Sequence, residues 1–454
     1  MEESREPVRP PSNQTIPSSW TKLPLNHTDW FVSVGVPAFA GRRPYFSTGS
    51  IQASDRVSEG EFGFADRPAR ANRIGQKWDV FQARMAGTSK AVIVDDSLNR
   101  SLFSTGFMQW RPPVSPETLG RWLYYAVQTP DFLAQRDRLA SGTTQVALND
   151  NNLARTTIPI APLAEQRRII DAIETRFARL DAAVGALERA RENLRRYRAS
   201  VLEAACSGEL VSKESSWRET NLADLAEIRS GVQKQPSRRP KEHKYPFLRV
   251  ANVLRGRLEL DEVHEIELFG GELERLRLQP NDLLIVEGNG SRTEIGRMAI
   301  WDGSIPECVH QNHVIRARLR PVALPSFVQA YWNSPTGSAQ IMAVSSSTSG
   351  LYTLSAGKVG KIRVPLPSVE EQEKIVMELE RRLSVADEAA LEVEHGLTRC
   401  SHLRDAVLRS AFEGRLVPQD PNDEPASAFL ERIKRVREPT AKAVRRARIA
   451  IGAD

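Results

Sequence analysis

The sequence predicts an α+β protein with two globular modules separated by two long antiparallel helices that form a coiled coil, and with an internal pseudo-twofold repeat. The length of 454 residues exceeds what one domain of roughly 100 to 200 residues holds. Residues 158–212 align without a gap onto residues 364–418, with 16 identities in 55 positions. The stretches outside this repeat carry short β-type runs bounded by Gly, Pro and Asn, which indicates mixed modules.

The repeat divides the chain into five segments. The first module covers residues 1–157, and the first repeated helix covers residues 158–212. The second module covers residues 213–363, and the second repeated helix covers residues 364–418. A basic tail, residues 419–454, completes the chain.

Each repeated segment predicts one long helix. A proline precedes the first turn, Glu and Gln follow at the positive end of the helix dipole, and Gly208 or Gly414 supplies a left-handed stop. Apolar residues alternate steps of three and four, as in a coiled-coil seam. The seam comprises Ile173, Phe177, Leu180, Val184, Leu187, Leu194 and Val201 in the first copy, and Leu379, Leu383, Ala386, Ala390, Val393, Leu397, Cys400 and Val407 in the second.

Such a seam needs a partner, because about 42 helical residues span roughly 60 Å, which is too long for one small module. We expect the other copy to be that partner, running antiparallel so that the modules lie at opposite ends. Arg198 would then lie near Ala386, and Leu180 near Arg404. The alternative is that each helix packs against the module that precedes it.

The two modules share a loose common layout. RPYFSTGSI in the first module takes the place of YPFLRVANV in the second, and SLFSTGFMQWRP takes the place of CVHQNHVIRARL. The stretches just before each helix, SGTTQVALNDNNLARTTIPIAP and SSTSGLYTLSAGKVGKIRVPLPS, also correspond. Related modules of different sequence on similar helices suggest one task performed twice on different targets.

The composition narrows the functional class. A net charge of +6 and a pI near 9.3 favour a polyanionic partner. No apolar run reaches the roughly 20 residues of a membrane helix, and the charged N-terminus lacks a signal-peptide core, so we expect a cytoplasmic protein without a membrane partner. Cys206, Cys308 and Cys400 are too widely spaced for a disulfide framework or a metal site, and we expect inert thiols.

Motifs of catalysis are absent from the sequence. It contains no [DNS]PP[YF] element of an amino-methyltransferase and no G-x-x-x-x-G-K-[ST] loop, and Gly288-Asn289-Gly290 lacks the spacing of a dinucleotide fingerprint. His310 and His313 have no further ligand at metal-binding spacing, so a core or base-contact role is the better interpretation. These absences predict a chain that is not an enzyme.

The chain resembles the DNA specificity subunit of type I restriction-modification systems along nearly its whole length. The resemblance is carried by APLAEQRRII with CSGELV, by PSVEEQEKIV, and by FEGRLVPQDPNDEPASAFLERI. It implies that the modules are target-recognition domains, each recognising one half of a split, asymmetric DNA sequence. It also implies that the helices hold these domains apart and bind the methylation subunits.

The resemblance therefore implies double-stranded DNA and two methylation subunits as partners. It leaves open whether two restriction subunits also bind. It implies no cofactor on this chain, and S-adenosylmethionine, ATP and Mg on the partner subunits. We expect the helices, with the tail around Phe429 and Leu430, to form the docking surface for the methylation subunits.

Loops rich in Lys, Arg, Asn, Gln, Ser and Tyr supply the candidate DNA contacts, because cations hold phosphates and polar side chains recognise base edges. In the first module the candidates are Arg42, Arg43, Tyr45, Lys77, Arg84 and Lys90, with Arg67, Arg70, Arg73 and Arg100 nearby. In the second module they are Lys234, Arg238, Arg239, Lys241, Lys244, Asn289, Ser291, Arg292, Arg297, Gln311, Asn312 and Tyr352.

Two alternatives remain open from the sequence. A coiled-coil adaptor that does not bind DNA would carry these basic loops incidentally. An enzyme with an unrecognised nuclease or methyltransferase site is the third hypothesis.

Overall fold

The computed structural model describes residues 16–26, 30–51, 56–142, 146–211, 216–289, 291, 294–348 and 351–432. The chain forms two compact units. The first unit comprises Met1–Ala186 and Gly396–Asp454, and the second comprises Leu187–His395. Each unit therefore contains one module together with adjoining parts of both long helices. Among the described helices, none combines the length and hydrophobicity that crossing a bilayer requires.

The first module is a mixed α+β fold. Its strands are β1 (Thr21–Pro24), β2 (Arg43–Phe46), β3 (Glu61–Phe62), β4 (Ala71–Ile74), β5 (Val80–Ala83), β6 (Ala91–Ile93), β7 (Leu102–Ser104), β8 (Phe107–Trp110) and β9 (Thr157–Ile160). Its helices are α1 (Pro116–Ala126), α2 (Pro130–Leu139) and α3 (Asp150–Leu153). β1 pairs with β9, and the other strands form sheets in the orders β3-β2-β7-β4 and β6-β5-β8. The first long helix, α4 (Leu163–Ser207), follows.

The second module is built in the same manner. Its strands are β10 (Arg218–Asn221), β11 (Ala226–Ser230), β12 (Lys244–Leu248), β13 (His264–Glu267), β14 (Leu283–Val286), β15 (Gly288–Asn289), β16 (Met298–Ile300), β17 (Val309–His310), β18 (Val314–Leu319), β19 (Ser346–Thr348), β20 (Leu351–Thr353) and β21 (Arg363–Leu366). Its helices are α5 (Leu222–Leu225), α6 (Glu272–Leu276), α7 (Pro325–Asn333), α8 (Pro335–Val344) and α9 (Ala356–Gly360). The sheet orders are β10-β21, β11-β18-β14-β16, β13-β12-β17 and β15-β20-β19. The second long helix, α10 (Val369–Phe412), follows.

The strand pairing confirms the layout predicted from the sequence. β2 and β7 run parallel with Tyr45 opposite Leu102, and β12 and β17 run parallel with Phe247 opposite Val309. Each module contains one parallel pair of this kind, next to antiparallel pairs that correspond as β5–β8 and β14–β18. The first module therefore has the fold of the second despite its weak sequence match.

A buried ion pair recurs in both modules. Asp79 accepts from Arg111 Nε at 2.8 Å and Nη2 at 2.6 Å, and Asp282 accepts from Arg318 Nε at 2.7 Å and Nη2 at 2.8 Å. Each aspartate also accepts the backbone N–H of the glutamine three positions before it. The two carboxylates are almost fully buried, so these bonds are needed to offset their lost hydration.

The long helices begin later than the repeated segments do. Residues 157–160 and 363–366 are strands, because their alternating apolar residues and prolines suit an edge strand better than a helix. Gly208 and Gly414 follow the helices with φ of 84° and 72°, which confirms the left-handed stops. All predicted seam residues are buried or half-buried.

The packing of the long helices is antiparallel within each unit. In the second unit Arg191 pairs with Glu394 at 3.7 Å and Arg198 pairs with Asp387, so numbers rise on one helix as they fall on the other. This is one residue from the predicted neighbour of Arg198. In the first unit Arg404 pairs with Asp181, also one residue from the prediction. Asp181 and Asp387 are equivalent positions of the repeat, as are Arg198 and Arg404.

Each long helix also packs on the module that precedes it in the chain, which was the alternative raised from the sequence. In the first unit Ile169 and Ile173 of the first long helix are buried in the core of the first module, together with Leu408 and Phe412 of the second long helix. In the second unit the equivalent residues Ile375, Leu379 and Cys206 are buried in the core of the second module, and the fourth, Leu202, packs against that core. Each module therefore contacts the beginning of one long helix and the end of the other.

The start of each long helix is held by a tryptophan that lies directly before the first strand of the module. Trp20 Nε1 donates to Glu165 Oε2 at 2.9 Å, and Trp217 Nε1 donates to Glu371 Oε1 at 2.9 Å. Both glutamates are buried. The Glu-Gln pair that the sequence placed at the helix start therefore also joins the helix to the first strand of the module.

The described part of the tail, up to residue 432, packs on the first module. Ala426 N–H donates to Ser19 O at 2.9 Å, and Asp423 pairs with Arg168 at 2.6 Å. Phe429 is buried in the core of the first unit, and Leu430 packs beside it. Phe429 is thus buried within the first unit and Leu430 is half-buried, and docking of a methylation subunit on the tail stays a prediction. The basic run beyond residue 432 lies outside the described residues.

We predict that Asp79→Asn or Asp282→Asn lowers the free energy of unfolding by about 2 to 4 kcal/mol, because an arginine loses a buried partner charge. Chemical denaturation followed by tryptophan fluorescence measures the change. Asp96→Asn is the control, because Asp96 pairs with Lys77 while its own side chain is 81% exposed, and a loss below about 1 kcal/mol is expected there. An equal loss in all three variants would contradict the assigned role.

The antiparallel register predicts efficient crosslinking of Arg198→Cys with Asp387→Cys within one chain by a short bismaleimide. Arg198→Cys with Glu394→Cys is the control, because seven residues move the partner roughly 10 Å along the helix. Mass spectrometry of the digested monomer gives both yields. A higher yield for the control pair would overturn the register.

Candidate nucleic-acid interface

Polar loops of the second module meet at one edge of its sheets. A bridge joins Val232 to Gln311, and Asn312 N–H donates to Val232 O at 2.9 Å. Gln311 N–H donates to Leu248 O at 2.9 Å. The basic loop 233–244 therefore begins beside the turn 311–313, which joins β17 to β18.

A β-hairpin lies next to the same turn. Glu287 N–H donates to His313 O at 2.9 Å, and Leu354 N–H donates to Glu287 O at 2.7 Å. Asn289 of β15 is opposite Tyr352 of β20, and β20 in turn pairs with β19. Ser346–Thr348 and Leu351–Thr353 are thus paired strands. We call residues 233–244, 288–289, 311–313 and 351–353 the second loop edge.

The turn presents side chains suited to hydrogen bonding with bases. Its members are Gln311 and Asn312, which are half-buried, and His313, whose side chain is 56% exposed. His313 Nδ1 lies 2.8 Å from Glu287 Oε2, so the carboxylate orients the ring. Amide and imidazole groups offer donors and acceptors to base edges.

The first module has the same backbone arrangement with other side chains. Arg84 N–H donates to Gly106 O at 2.9 Å, and Leu148 N–H donates to Arg84 O at 2.9 Å, so Arg84 occupies the place of Glu287. Thr105 N–H donates to Arg70 O at 2.9 Å, as the equivalent residue Asn312 does to Val232. We call residues 84–90, 104–106 and 141–147 the first loop edge, of which residues 143–145 lie outside the described part.

Many of the predicted DNA contacts have accessible polar groups. Arg42 pairs with Asp66 at 3.0 Å, Lys77 pairs with Asp96 at 2.8 Å, and Lys244 pairs with Glu265 at 3.7 Å, all at the surface. These ion pairs are weak in water and can exchange for phosphate contacts. Exposed cations without an ion pair among the described residues are Arg70, Arg100, Lys234, Arg239 and Lys241, and Ser291 is also exposed.

Other predicted contacts are half-buried. Arg43 stacks over Phe39 at 4.1 Å, and burial together with the nearby Arg100 lowers its pKa. Lys90 Nζ donates to Thr48 O at 2.7 Å. Arg67 stacks over the Phe64 ring. Tyr352 is half-buried against the core of the second module. These four side chains reach the surface only in part.

Three other predicted contacts, Tyr45, Arg84 and Arg238, pack or pair within the protein. Tyr45 is 4% exposed and belongs to a hydrophobic cluster. Arg84 is held by Asp150 at 2.6 Å, and Arg238 is held by both carboxylate oxygens of Glu272 at 2.7 and 2.8 Å.

Two further arginines have partners in the protein interior. Arg73 is 1% exposed, and its burial lowers its pKa to about 10. Arg297 Nη2 donates to Val250 O at 2.8 Å from a half-buried position. Arg292 and the side chain of Asn289 lie outside the described part of the chain.

The two histidines that the sequence placed together have different surroundings. His310 is fully buried, its Nδ1 lies 2.7 Å from Val314 O, and burial lowers its pKa to about 4. His313 is exposed at the tip of the turn. The sequence left His313 between a core role and a base-contact role, and it gave no signal for Glu287. The position of His313 directly after Gln311 and Asn312, between two strand-like runs, was the available signal.

No cluster of three or more His, Cys, Asp or Glu side chains suited to a metal ion occurs among the described residues. All three cysteines are buried, and burial raises the pKa of Cys206 and Cys308 to about 12. These thiols are therefore poor nucleophiles and poor metal ligands at neutral pH.

Residues 32–186 match the family model described as the type I restriction modification DNA specificity domain. The chain is 30% identical over 376 residues to the type I restriction enzyme EcoKI specificity subunit of Escherichia coli (strain K12), covering 77% of this chain and 79% of that protein. It is 27% identical over 411 residues to the type I restriction enzyme StySPI specificity subunit of Salmonella potsdam, covering 85% of this chain and 88% of that protein.

Solved structures share the fold. One is a chain of a type I R-M system studied for its complex assembly and conformational transition, with a TM-score of 0.70 and 19% identity, covering 88% of this chain and 99% of that chain. Another is the HsdS subunit from Thermoanaerobacter tengcongensis, with a TM-score of 0.51 and 18% identity, covering 89% and 99%.

Proposed function

This chain belongs to the family of type I restriction-modification DNA specificity subunits, and from that premise we propose that its two modules recognise the two halves of one split, asymmetric DNA target. The chain would direct the methylation and restriction subunits of its system to that target. The observation that carries the proposal is the pair of loop edges, which share backbone hydrogen bonds and differ in side chains.

The comparison of equivalent positions supports different half-sites. The turn that carries Gln311, Asn312 and His313 in the second module carries Ser104, Thr105 and Gly106 in the first. The residue beside the turn is an acid in one module, Glu287, and a base in the other, Arg84. Because base recognition depends on the donors and acceptors at each edge, unlike edges favour unlike half-sites.

Exposed cations on each module would hold the phosphate backbone, which fixes the position of the protein without selecting a sequence. Lys234, Arg239 and Lys241 serve this role in the second module, and Arg42, Lys77 and Arg100 in the first. A coiled-coil adaptor would not require two loop edges of distinct chemistry, and family membership favours DNA recognition over it.

We propose that the chain is not itself an enzyme. Two methylation subunits would bind the repeated helices, since a repeated surface can bind the same partner twice. S-adenosylmethionine, ATP and Mg would be bound by the partner subunits, including two restriction subunits where the system cleaves DNA.

We predict that Asn312→Ala weakens recognition in one half of the methylated motif only, and that Thr105→Ala at the equivalent turn changes only the other half. Loss of a base contact should cost about 1 to 3 kcal/mol of discrimination. Methylation profiling of a host that carries each variant with the methylation subunits measures both halves. Loss in both halves from one variant, or a continuous palindromic motif in the parent, would show that the modules do not act separately.

We also predict that the purified chain neither methylates nor cleaves DNA and binds neither S-adenosylmethionine nor ATP. Calorimetry with each cofactor is the measurement, and the same titration on the assembled complex is the positive control. Micromolar binding of either cofactor to the isolated chain would contradict the proposal of a non-catalytic subunit.

A further inference from the structure

A pocket of about 420 Å³ lies in the first unit, and none of its lining residues belongs to the first loop edge. It is bounded by β1, β9, α2 and the end of the second long helix, and the buried Phe412 forms part of its wall. Four basic side chains line it, namely Lys22, Arg138, Arg155 and Arg409. A pocket of this volume suits a small ligand.

The positive charge of this pocket is not balanced by the carboxylates that line it. Asp131 accepts from Gln135 Nε2 at 2.9 Å, and Glu413 pairs with Arg415. Within the described part of the chain, none of the four basic side chains has an ion-pair partner. The lining therefore carries four exposed cations against two carboxylates, and an anion in the pocket would balance the excess positive charge.

Two of the four basic positions are acidic at the equivalent place in the second unit, whereas Arg155 corresponds to another base, Lys361. Lys22 is opposite Pro159 in β9, and its equivalent Glu219 is opposite Pro365 in β21. Arg409 is replaced by Glu203, the residue 206 positions earlier in the repeat.

Both of these glutamates have partners in their own unit. Glu203 accepts from Thr336 N–H at 3.0 Å, and Glu219 pairs with Arg363 at 2.9 Å. The shared fold thus accommodates acids at these positions, so the fold itself does not require the basic residues of the first unit.

We propose that this pocket binds phosphate groups, with the three arginines and Lys22 as ligands. Guanidinium groups match phosphate oxygens in a bidentate geometry. A single carboxylate would neutralise only one of four cations, whereas a diphosphate carries enough negative charge for most of them. The phosphate can belong to a free diphosphate-bearing molecule or to the DNA backbone, and the experiment separates these two sources.

The test is calorimetric titration of the full chain with inorganic pyrophosphate, using variants that copy the residues of the second unit. Lys22→Glu with Arg409→Glu should weaken pyrophosphate binding by at least about tenfold, since two ligands are replaced by repelling charges. Arg179→Glu is the control, because Arg179 is an exposed cation of the first long helix outside the pocket. This control should bind pyrophosphate like the parent.

Random-sequence duplex DNA is the second arm. If backbone phosphates occupy the pocket, the double variant should bind this DNA more weakly, with a salt slope reduced by about two counterions, and pyrophosphate should compete with DNA on the parent. Pyrophosphate binding without any effect on DNA identifies a free phosphate ligand. Both results support the site. The proposal is overturned if the double variant matches the Arg179→Glu control in both titrations. Neither outcome depends on whether the modules recognise separate half-sites.

Discussion

The bond between a buried glutamate and a tryptophan at the start of each long helix is the constraint on which the other contacts of a unit depend. Glu165 is 1% exposed. Burial raises its pKa, and hydrogen bonds from Trp20 and Gln419 oppose that effect. A carboxylate in the first helical turn also lies in the favourable field of the helix dipole. The bond fixes the helix against the first strand of its module, and the apolar residues that follow then enter the module core.

The two modules share backbone contacts but differ in the side chains at their loop edges. The residues that stabilise a module are therefore different from those available for recognition. Asp79 and Asp282 lie directly before β5 and β14, and their carboxylates are buried. Loss of either carboxylate would leave its arginine without a partner, and the same ion pair occurs in both modules. The turns at residues 104–106 and 311–313 are held by main-chain bonds. Their side chains are therefore free to differ without loss of the fold.

The sequence was sufficient for features that rest on periodicity and repetition. The long helices, their seams, their glycine stops and the correspondence of the strands at Tyr45 and Phe247 all follow from spacing that a reader can count. The surroundings of individual cations were harder to predict. Arg84, Arg238 and Arg297 look like surface residues until their partners across the module are known. The burial of Phe429 could not be predicted for the same reason, since Ala426 of the tail bonds to Ser19, more than 400 residues away in the chain.

The first unit is built from two separate stretches of the chain, so it cannot complete its core until the second stretch has been synthesised. Leu408, Phe412, Ala426 and Phe429 complete the core around Trp122, and the ribosome produces them last. The second unit is a continuous stretch and can fold as it emerges. At roughly 5 to 20 residues per second, translation of residues 187–395 alone takes on the order of 10 to 40 s. During that time the earliest-made module exposes an uncovered apolar surface, which makes the nascent chain a client for chaperones and favours slow, late closure of its first domain.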